Sequence, residues 1–128
     1  MKCACKKILL VDDDADFRRA TRKILESKGF GVTEATGGNE GYDMAQTENP
    51  DLIIIDVIME SFSEGFKLIQ KLATNDKTKD VPRILLTTLG IQQDLDMIYP
   101  QEIGTKSILQ KPIKKEELLA SVQAAIGA

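Results

Sequence analysis

The 128 residues suit one domain of ordinary size, and a composition 42% hydrophobic and 29% charged is that of a globular chain rather than a disordered one. The net charge of −3 offers no basic footprint for nucleic acid, and no apolar run approaches the roughly 20 residues of a membrane span. The reading is therefore a cytoplasmic protein that binds neither nucleic acid nor membrane.

The start, "MKCACKK", is basic but has no apolar stretch behind it, so it does not read as a signal peptide. Residues 1–5 read as a flexible tail on a single domain spanning 1–128. Cys3 and Cys5, on an extended chain, lie about 7 Å apart, too far for an easy disulfide. With no histidine anywhere in the chain, they also lack partners for a metal site. Without tryptophan, and with only 5% aromatic residues, the core must be mostly aliphatic.

From there strands and helices alternate. "KILLV", 7–11, is a buried strand, and Asp14 to Lys28 is a helix with Phe17, Ala20, Ile24 and Leu25 on its apolar side, Asp14 as N-cap and Gly29 as the stop. "GVTEA" is a short second strand, and Asn39 to Glu48 a second helix with Gly41, Tyr42 and Ala45 facing inward. "DLIIID" is the third strand, apolar from Leu52 to Ile55. After an irregular stretch, Glu64 to Thr74 is a helix carrying Phe66, Leu68, Ile69 and Leu72. "RILLTT" is the fourth strand, residues 91–101 a weak helical pattern, and "SILQ" the fifth strand. Lys115 to Ile126 is a final amphipathic helix with Leu118, Leu119, Val122 and Ile126. Five β/α units with continuously apolar strands predict an α/β fold: a parallel sheet covered by helices on both faces, with right-handed crossovers.

The informative polar residues fall where those strands end. Asp12 and Asp13 follow the first strand, Asp56 the third, Thr87 and Thr88 the fourth, and Lys111 the fifth. In a parallel sheet these ends form one rim, where open α/β folds bind their ligands. Three carboxylates there call for a hard cation, and solvent access with oxygen ligands suits Mg²⁺. A lysine and a hydroxyl beside them suit an anion with several oxygens. Mg²⁺, lysine and hydroxyl around a carboxylate describe phosphoryl transfer to that carboxylate.

With "VDD" at 11–13, Asp56 after "LIII", Thr87 five residues after Pro82, and "KP" at 111–112, the chain resembles the receiver domains of bacterial two-component response regulators over about residues 6 to 126. The resemblance implies a flavodoxin-like, doubly wound (βα)5 three-layer sandwich with strand order 2-1-3-4-5. It implies Asp56 as phosphoacceptor. It implies Mg²⁺ held by Asp13, Asp56 and the backbone carbonyl of Ile58, with Asp12 acting through bound water. Thr87 would offer its hydroxyl to the phosphoryl group and Lys111 its charge. The donor would be a sensor histidine kinase or a phosphotransfer protein. The output would run through a protein target or a further domain, neither identifiable from these residues.

Some positions depart from the family pattern. Glu60 stands where a proline is usual, Thr88 where a smaller residue is usual, and Ile108 where an aromatic usually partners the switch threonine. The threonine–aromatic switch therefore cannot operate in its common form. The residues flanking the in-line water path, Ile58 and Leu89, carry no hydrogen-bonding side chain, which predicts a long-lived phosphorylated state. Two other functions compete: a receiver that has lost phosphorylation and serves only for docking, and a haloacid-dehalogenase-like phosphatase using Asp12 and Asp14. The second would make the chain an enzyme, but it lacks a later acidic pair and the length for a substrate cap.

Overall fold

The structure, a computed structural model, describes residues 6–56, 62–87, 105–110 and 114–126, with the backbone alone at 62–66, 87 and 105–110. Five strands, β1 (Lys7–Val11), β2 (Gly31–Ala35), β3 (Leu52–Asp56), β4 (Arg83–Thr87) and β5 (Thr105–Gln110), form one sheet in the order β2-β1-β3-β4-β5. Every pairing is parallel. Between and after them lie α1 (Ala15–Glu26), α2 (Gly38–Thr47), α3 (Phe62–Thr74) and α4 (Lys115–Ile126).

Strand alternation sorts the core into two layers. Leu9 and Val11 of β1, with Ile53, Ile55 and Leu85, pack against Ala45 of α2 and Leu68, Ile69 and Leu72 of α3. Ile8 and Leu10, with Leu52, Ile54, Ile84 and Leu86, pack against Leu25 of α1 and Leu118 and Val122 of α4. Residues 8–11 and 52–55 are all fully buried, as expected for central parallel strands whose faces are both covered. At about 1.5–3 kcal/mol for each large aliphatic side chain taken out of water, these runs dominate the stability. The core is aliphatic, as the composition requires.

Asp14 caps α1 as expected, its side chain accepting from the amides of Asp16 and Phe17. The helix ends at Glu26, two residues before the expected Lys28. Gly29 takes φ +91° and the Phe30 amide turns back onto the Leu25 carbonyl at 3.3 Å, so the reversal starts before the glycine. Its inner face also differs from expectation: Ala20 is exposed and Thr21 is buried. Phe17, Thr21, Ile24 and Leu25 follow the helical spacing of four, three and one, which leaves Ala20 outside.

Helix α3 begins at Phe62 rather than Glu64, two residues earlier, so that Phe62 stands four residues before Phe66 on one apolar spacing. Strand β5 starts at Thr105, two residues before "SILQ", pairing Thr105 with Arg83 across an irregularity in the β4 register. The first five residues and the weak helical pattern at 91–101 lie outside the described residues. No described helix is long and apolar enough to cross a membrane.

At the amino end of the sheet, Arg83 is fully buried in β4. Its Nη1 donates to the carbonyls of Thr78 at 3.4 Å and Val81 at 3.2 Å, and burial pushes its pKa down. This cation closes the turn between α3 and β4, far from the carboxylate rim at the other end of the strands.

Candidate functional site

Register explains why the acids meet. The last pair of β1 and β3 is Val11 opposite Ile55, so Asp12 and Asp56 are the next residues along two neighbouring strands. Both continue the even-numbered alternation of Ile8–Leu10 and Leu52–Ile54, and so share a face of the sheet. The Asp12 amide still donates to the Ala35 carbonyl at 3.1 Å, which carries the β1–β2 ladder one residue beyond the strand.

Asp12 is fully buried, Asp56 is 4% exposed, and Asp13 faces solvent. One carboxylate oxygen from each lies within 4.8 Å of those of the other two. Three like charges this close, two of them shielded from water, repel unless a cation sits among them. The set has two buried ligands, one open side and oxygen donors only. That fits a hard divalent cation that keeps part of its water shell.

The loop is braced from within. Asp12 Oδ1 accepts from the Asp14 amide at 2.9 Å, and Asp14 then caps α1, so the chain turns sharply from strand to helix and leaves Asp13 at the mouth. Arg18 on α1 reaches back, its Nη1 donating to the Asp12 carbonyl at 2.7 Å and its Nε to Glu34 Oε1 on β2 at 2.9 Å. Arg22 Nη1 takes the other oxygen of Glu34 at 2.9 Å. Hydrogen bonds from Arg22, and then from Arg18, hold the Glu34 carboxyl below its usual range despite the cost of its burial.

On the neighbouring loop, Glu40 on α2 accepts from the Thr36 amide and hydroxyl, both at 2.8 Å, which lowers its pKa and fixes the start of that helix. Gly41 lets α2 lie close to the sheet, because a Cβ there would meet Val11 Cγ2 at 2.9 Å.

Asp12, Asp13 and Asp56 are thus brought together as expected. Thr87 closes β4 opposite Gln110, with its backbone on the same rim. Lys111 immediately follows β5 in the chain; it and Ile58 lie outside the described residues, as do Thr88 and Leu89. Arg18 and Glu34 were missed. An arginine pair at 18 and 22 on a helix reads as a solvated face, and only the side alternation of β2 hints that Glu34 faces it.

A parallel, doubly wound sheet with a carboxylate triad at its carboxyl edge defines a class of α/β domain built to hold a cation and an anionic group at one rim. Residues 8–123 match the response regulator receiver domain family, and the chain belongs to it: a phosphoacceptor domain of two-component signalling. Protein PilH of Pseudomonas aeruginosa is 30% identical over 121 residues, covering 94% of this chain and 98% of that protein. The DNA-binding dual master transcriptional regulator RpaA of Synechocystis is 35% identical over 120 residues, again 94% of this chain but 48% of that one. The chain therefore spans about half the length of such transcriptional regulators. The receiver domain of a sensor histidine kinase from Pseudomonas aeruginosa superposes with a TM-score of 0.84 at 27% identity, over 98% of this chain and 100% of that one. That structure holds a magnesium ion in its active-site cleft.

Proposed function

We propose that Asp56 is the phosphoacceptor, taking a phosphoryl group from the phosphohistidine of a sensor histidine kinase or phosphotransfer protein. The observation that carries this reading is the convergence of Asp12, Asp13 and Asp56 within 4.8 Å at the carboxyl edge of the sheet. Asp13, Asp56 and the backbone carbonyl of Ile58 would hold Mg²⁺, with Asp12 acting through water. The ion, when bound, offsets the charge of the carboxylates and of the incoming phosphoryl oxygens.

The chain's own part is positional. A carboxylate oxygen of Asp56 forms the new O–P bond as the N–P bond of the donor breaks and the donor imidazole keeps the electron pair. Burial holds that oxygen in one place. Lys111 pairs with a phosphoryl oxygen, and the Thr87 hydroxyl donates to another. Nothing is turned over by the chain alone, so it acts as a switch rather than an enzyme, and its output is a change in protein docking.

We further read the whole of 1–128 as one receiver unit of the (βα)5 class, with residues 1–5 as its tail. Its place is the cytoplasm, where the phosphorylating core of a sensor kinase meets its partner.

The test is acetyl phosphate or phosphoramidate with Mg²⁺, read by intact mass. One phosphoryl group should add to the wild type and none to Asp56→Asn. Full-yield modification of that variant overturns the assignment.

A further inference from the structure

Asp12 is held from three sides. Its strand-side amide is tied to Ala35, the Asp12 carboxylate accepts the Asp14 amide, and the carbonyl accepts Arg18 Nη1 at 2.7 Å, a short, charge-assisted bond. Only the last of these comes from a side chain outside the loop. A peptide unit is planar, so fixing the Asp12 carbonyl also fixes the amide and Cα of Asp13. The Asp14 amide, held on Asp12 Oδ1, restrains the peptide on the other side of that Cα, and the two together set the direction in which the exposed carboxylate leaves the chain.

Arg18 is itself restrained. Its side chain is 13% exposed, and its Nε is bound to Glu34, which Arg22 grips from the other side. A cation bonded to the Asp12 carbonyl stands beside the loop that carries the Asp12 and Asp13 carboxylates, and a charge left loose there would compete with a metal ion for them. Glu34 supplies the opposite charge that keeps it on the main-chain side. The planar fork of arginine can serve both acceptors at once, whereas a lysine offers a single head.

We propose that Arg18 is the positioning residue of the metal site: by clamping the Asp12 carbonyl it aims the Asp13 carboxylate, while Glu34 parks its charge away from the ligands. This rests on reading Asp12, Asp13 and Asp56 as the Mg²⁺ site. A merely structural ion pair would affect the stability of the metal-free protein and leave affinity for the ion alone.

The experiment is a titration of the full chain with Mg²⁺ and no phosphodonor, followed by the backbone amide shifts of Asp13 and Asp14, beside thermal unfolding in chelator. Arg18→Met should raise the Kd about tenfold or more, the usual effect of losing a partner behind a metal ligand. Arg18→Lys, which keeps the charge and stem, should fall between the two. Glu34→Gln should weaken binding in the wild-type background and add nothing in Arg18→Met.

A Kd for Arg18→Met indistinguishable from wild type overturns the inference. If that variant does not fold, an unchanged Kd in Arg18→Lys overturns it instead. An equal loss from Glu34→Gln in both backgrounds overturns the role of Glu34. Failure of the underlying reading looks different: the wild type would show no Mg²⁺ binding, or Asp13→Ala would bind as well as wild type.

Discussion

Replacing Asp12 by asparagine should make the metal-free protein more stable and its response to Mg²⁺ weaker. Asp12 is fully buried, and its carboxylate lies within 4.8 Å of those of Asp13 and Asp56. At that distance and an effective dielectric of about 20, two unit charges repel by about 3.5 kcal/mol. The exposed charge of Asp13 counts for less than that of buried Asp56, and nearby amides such as that of Asp14 offset part of the field. A net gain of about 1–3 kcal/mol remains when one charge is removed. Asparagine keeps an oxygen for the Asp14 amide, so the loop geometry survives. For a chain of this length the gain is a midpoint roughly 4–12 °C higher in chelator.

Mg²⁺ acts the other way. At a metal concentration about 100 times Kd the wild type gains about 2.7 kcal/mol, and the variant, with a weaker site, gains less. Thermal unfolding by circular dichroism across a Mg²⁺ series should show the two midpoints converging or crossing. A variant less stable than wild type in chelator, or one that gains as much from the ion, refutes the argument from charge repulsion.

Gly41→Ala should destabilise, because a Cβ 2.9 Å from the stiff Val11 side chain forces α2 outward at about 1–3 kcal/mol, against about 1 kcal/mol gained in helix propensity; urea unfolding should place it at or below wild type, and Val11→Ala should relieve the defect. The depressed pKa of Glu34 contributes stability that is present above the ordinary glutamate pKa and lost as pH falls through the lowered one. Glu34→Gln should therefore narrow its gap to wild type on acidification, and a constant gap across that range would count against the Arg–Glu pairing. Ile58→Asn combined with Leu89→Glu should shorten the lifetime of phosphorylated Asp56 after donor removal, since water-orienting contacts commonly change rates by about 10²–10⁴-fold. An unchanged decay would remove the apolar side chains as its cause.

The strands were legible because they are uninterrupted apolar runs, and the acids were legible because they stand just where those runs stop. Register then did what spacing alone could not express: Asp12 and Asp56 are 44 positions apart in sequence but one step beyond the Val11–Ile55 pair. What escaped the sequence are charged residues whose partners are main-chain carbonyls. Arg18 binds the carbonyl of Asp12, and Arg83 those of Thr78 and Val81. A carbonyl has no residue type, so no pattern of letters marks it. Thr21 was missed for a simpler reason: the inner face of α1 turns one position away from the small apolar Ala20.

The alternation of β1 has a bearing on how such a chain can drift. Among the described residues, Leu9 and Val11 pack in the layer of α2 and α3, while Ile8 and Leu10 pack in that of α1 and α4. A volume change at one position is absorbed by neighbours on its own side, because the backbone ladder separates the two layers. Compensating substitutions should therefore accumulate within a layer and rarely across it. Each helical face can be rewritten for a new partner while the opposite face, and the strand ends between them, keep their residues.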